Sequence, residues 1–172
     1  TIAPVDTKRN QLLLKDAVDT YKVGGLLFSG GKMQTQAEPT NQAQRMAKLP
    51  LMITFDGEWG LAMRLRGTPV FPRNMVLGCI QDNKLIYEYG REMARQCAQL
   101  GVQVNFAPVA DVNINPKNPV INTRSFGEDP VRVADKVVAY ASGLESGGVL
   151  SVCKHFPGHG DTDVDSHKAL PV

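Results

Sequence analysis

No stretch of this chain approaches the ~20 consecutive apolar residues that a membrane-spanning helix needs, so none of its 172 residues forms a candidate span. No run of Lys and Arg makes a stripe, and a formal net charge of +2 is too small for a nucleic-acid footprint. Cysteine is scarce: Cys79, Cys97 and Cys153 are odd in number and share no short metal-ligand spacing. The expectation is no disulfide framework, with Cys97 on a helix face and Cys153 in a strand as small buried core residues. No G-x-G-x-x-G follows an apolar run, which leaves a dinucleotide site without support. The opening Thr1-Ile2-Ala3-Pro4 is neither a start methionine nor a signal peptide. The chain is therefore expected to have been processed or cut, and its compartment, cytoplasmic or exported, is not readable.

What is present suits one globular core. Apolar residues make up 42% of the chain, which is too short for two comfortable domains, and the 11 prolines and 16 glycines punctuate apolar segments rather than forming tracts. Four short, nearly continuous apolar runs stand out: residues 23–28, 51–56, 102–108 and 148–153. Continuous rather than alternating hydrophobicity suits parallel strands covered on both faces.

Helical periods separate these runs. Between Asp82 and Leu100 the residues Ile86, Tyr89, Met93 and Cys97 recur at helical spacing, with Asp82 as N-cap and Gly101 as stop. A second helix is expected to start at Asp129-Pro130, bury Ala134, Val137, Val138, Ala141 and Leu144, and end at Gly147-Gly148. Residues 9–22 read as a helix with Leu14, Val18 and Tyr21 on one face, and a shorter one after Thr40 carries Ala43, Met46 and Ala47 inward. The alternation implies βαβ units and a parallel α/β sheet, either doubly wound or a barrel.

Polar residues gather where the apolar runs end. Asp56-Gly57-Glu58-Trp59-Gly60 closes the second run, Asp111 and Arg124 follow the third, and Lys154-His155-Phe156-Pro157-Gly158-His159-Gly160 follows the fourth. The C-terminal ends of parallel strands are where binding and catalysis are built. This places Asp56, Arg64, Arg124, Lys154 and His155 around one cleft, although Arg124 could instead bridge to Glu128 or Asp129, Asp111 could cap a turn, and Glu58 could act behind the contacting residues.

Residues 154–167 hold three His, three Asp and one Lys, and several readings compete for them. Asp161, Asp163 and Asp165 suggest a calcium loop, but Ser166 stands where glycine is needed and Val172 where glutamate is needed. A zinc site lacks the His-Glu-x-x-His helix, and no helix persists through Pro157-Gly158. The third reading is an acid/base loop in which Asp165 orients His167. Spacing alone leaves this open against a purely structural hydrogen-bonded loop.

Lys154-His155-Phe156-Pro157-Gly158-His159-Gly160 with Asp165-Ser166-His167 closely resembles the signature of glycoside hydrolase family 3, in its β-N-acetylhexosaminidase branch. Asp56 to Gly60 with Arg64, Phe106 to Val112, and Arg124 to Asp129 resemble further segments of that branch in the same order. The resemblance implies a (β/α)8 barrel of the TIM type, of which residues 1–172 would be an N-terminal part carrying about the second to fifth strands. It implies retaining hydrolysis of terminal β-linked N-acetylglucosamine, from peptidoglycan-derived fragments, with no cofactor and no metal. His167 would be the acid/base and Asp165 its partner. Asp56, Arg64, Arg124, Lys154 and His155 would grip the sugar. The nucleophilic aspartate would lie outside this chain, so the fragment alone is expected to be inactive, with its open sheet edges covered by missing strands or by self-association. A β-glucosidase, a phosphorylase, or a non-catalytic aminosugar-binding module are the alternatives. Trp59 departs from the glycine of many relatives, a change that would reshape the rim where the aglycone sits.

Overall fold

The computed structural model describes residues 8–170. Four strands, β1 (Gly25–Leu27), β2 (Met52–Phe55), β3 (Val104–Asn105) and β4 (Leu150–Ser151), form one parallel sheet in the order β1-β2-β3-β4. Strand order thus follows chain order without reversal. A doubly wound sheet reverses at a switch point, so the winding is that of a TIM-type barrel, present here as an open arc. Helices α1 (Lys8–Lys15), α2 (Met33–Met46), α3 (Asn74–Leu77), α4 (Asn83–Gln99) and α5 (Pro130–Ser146) supply the flanks and crossovers.

The caps behave as their chemistry dictates. The Asp82 carboxylate accepts from the Lys84 N–H at 2.9 Å and starts α4, while the Asp129 carboxylate accepts from the Arg132 N–H at 2.9 Å and starts α5 behind Pro130. In α4 Ile86, Tyr89, Met93 and Cys97, the stripe expected from spacing, are buried, together with Gly90, Ala94 and Gln96. On β2, Ile53 and Phe55 are fully buried while Met52 is half exposed, so one side of the sheet is packed and the other is open.

Four expectations need correction. Helix α5 is rotated: Val133, Lys136, Val137, Tyr140 and Leu144 are buried, whereas Ala134 and Val138 face solvent. The rotation is fixed by backbone contact with α4, because a Cβ on Gly143 would lie 2.2 Å from the Tyr87 carbonyl oxygen and one on Gly90 2.4 Å from that of Tyr140. Two glycines let the helices touch there, and hydropathy alone does not register that. Second, α1 runs into a π-helical turn at Asp16–Thr20, which shifts the period and leaves Tyr21 exposed although Leu14 and Val18 are buried. Third, α2 begins at Met33 and continues through Pro39 rather than starting after Thr40. Fourth, Cys153 lies beyond β4 and is exposed; only Cys97 is a buried thiol, its pKa pushed up to about 12 by burial.

Gly143→Ala is expected to destabilise the fold by about 1–3 kcal/mol, the usual cost of forcing a methyl into a filled contact. Denaturant titration checks it; an unchanged midpoint would mean that α4 and α5 do not meet at these glycines.

Candidate functional site

The polar segments after β2, β3 and β4 converge at the C-terminal end of the sheet, around a cleft of about 480 Å³. Each is fixed from below. The buried Asn105 side chain accepts from the Gly57 N–H at 3.0 Å and donates to the Gly57 carbonyl at 3.2 Å, pinning the turn between Asp56 and Glu58. Tyr140, fully buried in the core, donates its hydroxyl to the Glu58 carbonyl at 3.3 Å. Beyond β4, Lys154 pairs in parallel with the segment that follows β3: its N–H donates to the Pro108 carbonyl at 3.2 Å and its carbonyl accepts from the Ala110 N–H at 2.7 Å. The Asn74 side chain of α3 donates to the Arg124 carbonyl at 2.8 Å.

Upon this frame sits a network of alternating charge. Glu58, wholly buried, accepts two parallel bonds from Arg124, Nε at 2.9 Å and Nη2 at 2.6 Å, and pairs with Lys154 Nζ at 2.9 Å. Lys154 Nζ also reaches Asp56 Oδ1 at 2.6 Å, and Arg64 pairs with Asp56 Oδ2. Burial raises the pKa of both carboxyls, but the bonds from these cations outweigh it, so Asp56 and Glu58 lie below their ordinary values of 3.8 and 4.5. Arg124 is therefore not a bridge to Glu128 or Asp129. Its partner is Glu58.

The rest of the network fixes His155. An arginine can only donate, so Arg124 Nη2, 3.1 Å from His155 Nε2, assigns that nitrogen as acceptor and puts the proton on Nδ1. Nδ1 then donates to Asp111 Oδ2 at 2.6 Å. Both ring nitrogens of His155 are engaged by the protein, so it orients Arg124 as much as it faces the cleft. Asp111 is not a simple turn cap: nearly inaccessible, it also accepts from the His159 N–H at 2.7 Å. Gly160 allows the following segment to press on the loop after β3, where a Cβ would meet the Val112 carbonyl oxygen at 1.8 Å.

His167 stands at the edge of the same cleft, with Asp165 paired to it. Asp165 Oδ1 accepts from the His167 N–H at 2.9 Å and pairs with its Nδ1 at 2.8 Å. These bonds, backbone first, hold the Asp165 carboxyl below its ordinary range. They also leave Nε2 as the His167 ring nitrogen without a protein partner among the described residues, on a side chain that is 83% exposed. No group of three or more His, Cys, Asp or Glu suited to a metal ion occurs among the described residues.

Comparison with known proteins places this geometry in a family. The glycosyl hydrolase family 3 N terminal domain matches residues 4–172, nearly the whole chain. The chain belongs to glycosyl hydrolase family 3. Among curated members it is 39% identical to beta-hexosaminidase A of Pseudoalteromonas piscicida, covering 92% of this chain and 29% of that protein. It is 38% identical to beta-hexosaminidase LpqI of Mycobacterium tuberculosis, covering 96% of this chain and 46% of the relative. A solved family 3 beta-N-acetylglucosaminidase from a Paenibacillus species superposes with a TM-score of 0.87 at 34% identity, over 99% of this chain and 33% of that one. The chain thus spans less than half the length of these two curated relatives.

The structure brings Asp56, Arg64, Arg124, Lys154 and His155 to one cleft, as expected from their positions after strand ends, and His167 lines the same cleft with Asp165 bonded to it. Three further residues complete the network without having been expected to grip the sugar: Glu58, which holds Arg124 and Lys154 from behind as its position suggested, Asp111, read as a turn cap, and His159. Each lies in a polar segment yet is 8% exposed or less. Sequence gives no direct view of a buried carboxylate beside cations.

Proposed function

We propose that the protein to which this chain belongs is a retaining exo-glycosidase that releases terminal β-linked N-acetylglucosamine. The observation that carries this reading is the bonded pair Asp165–His167 facing the charged cluster of Asp56, Arg64, Arg124 and Lys154 across a sugar-sized cleft. His167 supplies the proton to the leaving oxygen from Nε2, Asp165 holding Nδ1–H and favouring the cationic ring in turn. Asp56 accepts hydrogen bonds from sugar hydroxyls through lone pairs left free by Lys154 and Arg64, while Arg124 and Lys154 donate. A carboxylate on the opposite face of the sugar then traps the oxocarbenium-like centre. In this reading that nucleophile lies outside the chain, and residues 1–172 are the N-terminal part of the catalytic barrel, whose open strand edges the remaining strands cover. Relatives named as hexosaminidases and N-acetylglucosaminidases support the aminosugar.

We take the natural substrate as a peptidoglycan fragment in which N-acetylglucosamine is joined to a muramic acid. Arg73 supports an acidic aglycone: its guanidinium lies 4.7 Å over the Trp59 ring at the cleft rim, bonds Thr123 Oγ1 at 3.1 Å, and pairs with no carboxylate among the described residues. In the complete protein, aryl β-N-acetylglucosaminide should be turned over at least about 100-fold faster than aryl β-glucoside, because a site built to bond the acetamido group is left unpaired without it. Comparable rates would refute the aminosugar assignment. Free N-acetylglucosamine as product in phosphate buffer, rather than a sugar phosphate, separates hydrolysis from phosphorolysis.

A further inference from the structure

His159 has no role in the chemistry just proposed, yet its surroundings are unusually specific. Its backbone is locked to the frame beneath the cleft, with the N–H donating to Asp111 Oδ1 at 2.7 Å and the carbonyl accepting from Asn118 Nδ2 at 2.6 Å. Both partners are buried. The ring lies under the segment that carries the proton-transfer pair: Nδ1 is 2.6 Å from Thr162 Oγ1, and Nε2 is 3.1 Å from Ser166 Oγ. Ser166 is the residue between Asp165 and His167.

The Thr162 hydroxyl reaches both His159 Nδ1 and, at 3.2 Å, the His159 carbonyl, and each ring nitrogen meets a hydroxyl that can donate or accept, so both ring bonds form in either tautomer. Residues 163–170 contain neither helix nor strand. Their other hydrogen bonds are internal, from His167, Lys168 and Ala169 back to Asp165. The Ser166–His159 bond is the only hydrogen bond joining residues 163–170 to the rest of the described chain.

We infer that His159 is a positioning residue that, through Ser166, ties the acid/base pair to the rigid floor of the cleft and so sets where His167 presents Nε2. The role rests on the assignment of His167 as proton donor. It differs from structural support in a measurable way. Proton donation matters when the departing group is basic and little when it leaves readily as an anion, so a displaced donor slows poor leaving groups selectively.

The test uses the complete enzyme with phenyl and dinitrophenyl β-N-acetylglucosaminides. His159→Leu and Ser166→Ala should each lower kcat/KM for the phenyl substrate by about tenfold while changing the dinitrophenyl value by less than about twofold, since small misplacements of a catalytic group carry costs of this order. The double variant should be no slower than the slower single one, because both changes break the same bond. His159→Gln and Ser166→Thr, which keep an acceptor and a hydroxyl, should restore most of the phenyl activity. Equal losses on both substrates, no loss, or additive losses would overturn the inference, and the Ser166 pair decides it should His159→Leu fail to fold. His167→Ala in the same assay separates the two claims. If it fails to discriminate between leaving groups, the donor assignment falls and the tether with it; if it discriminates while Ser166→Ala does not, only the tether falls.

Discussion

Replacing His167 by alanine in the complete enzyme is expected to cut turnover of N-acetylglucosaminides with poor leaving groups by about two to four orders of magnitude, the usual worth of a positioned general acid. The expectation follows from bond directions. His167 Nδ1 is committed to Asp165 at 2.8 Å, which fixes the tautomer and leaves Nε2 for the substrate. Asp165→Ala should cost less than His167→Ala, because an unoriented imidazole still carries a proton. Folding should be indifferent to either change: the His167 side chain is 83% exposed and its bonds are local. Circular dichroism and a thermal midpoint alongside steady-state rates check all three points, and a variant slow because it is unfolded would contradict the account.

The second large effect is expected at Glu58, where the loss should appear in stability as well as rate. Its wholly buried carboxylate holds Arg124 by two bonds and Lys154 by a third. Glu58→Ala leaves both cations beside an emptied position, and breaking a buried ion pair from one side costs about 3–5 kcal/mol. That is a large part of the ~5–15 kcal/mol that holds a typical domain folded. Activity should fall with it, since Arg124 and Lys154 would lose the geometry that aims them at the sugar. Denaturant unfolding of the complete protein measures the first effect, and a change below about 1 kcal/mol, the scale of an exposed pair, would refute the clamp.

The same clamp sets the acid limit of the site. Glu58 and Asp56 have folded pKa values below their ordinary 4.5 and 3.8, burial raising them and the bonds from Arg124, Lys154 and Arg64 more than offsetting it. A group depressed on folding stabilises the protein fully above its ordinary pKa, and this contribution is lost as pH falls through the folded value. The wild type should therefore lose stability as pH drops below the ordinary carboxylate range, and Glu58→Ala should lose less over the same interval.

Much of this architecture was legible in the chain, for reasons that can be named. Asp82 and Asp129 begin helices because their carboxylates satisfy free N–H groups, a local effect that sequence carries directly. The parallel sheet followed from apolar runs alternating with helical periods. Spacing could not choose between a barrel and a doubly wound sheet; strand order did, together with family resemblance. The misjudged elements depend on contacts distant in sequence. Gly90 against Gly143 shifts the buried stripe of α5 toward Val133 and Tyr140, and a π-helical turn after Lys15 displaces Tyr21 from the apolar side. At the site, Asp56, Lys154 and His155 were legible because each follows an apolar run that forms a strand of the parallel sheet. Glu58 was legible only as a residue behind the contacts, and Asp111 was misread as a turn cap, because burial beside partners distant in sequence decides both.

The most direct test of the central claim is chemical rescue of His167→Gly in the complete enzyme by azide, using the dinitrophenyl aminosugar. With the imidazole gone, a glycosyl-enzyme should still form from a readily departing group, but no base remains to activate water for its hydrolysis. Azide needs no such base. It attacks the anomeric carbon, the enzyme carboxylate departs with its bonding electrons, and turnover recovers with β-N-acetylglucosaminyl azide as product. Rate recovery with that product is the expected result. An azide-insensitive variant, or one whose hydrolysis is undiminished in the first place, would show that His167 is not the acid/base.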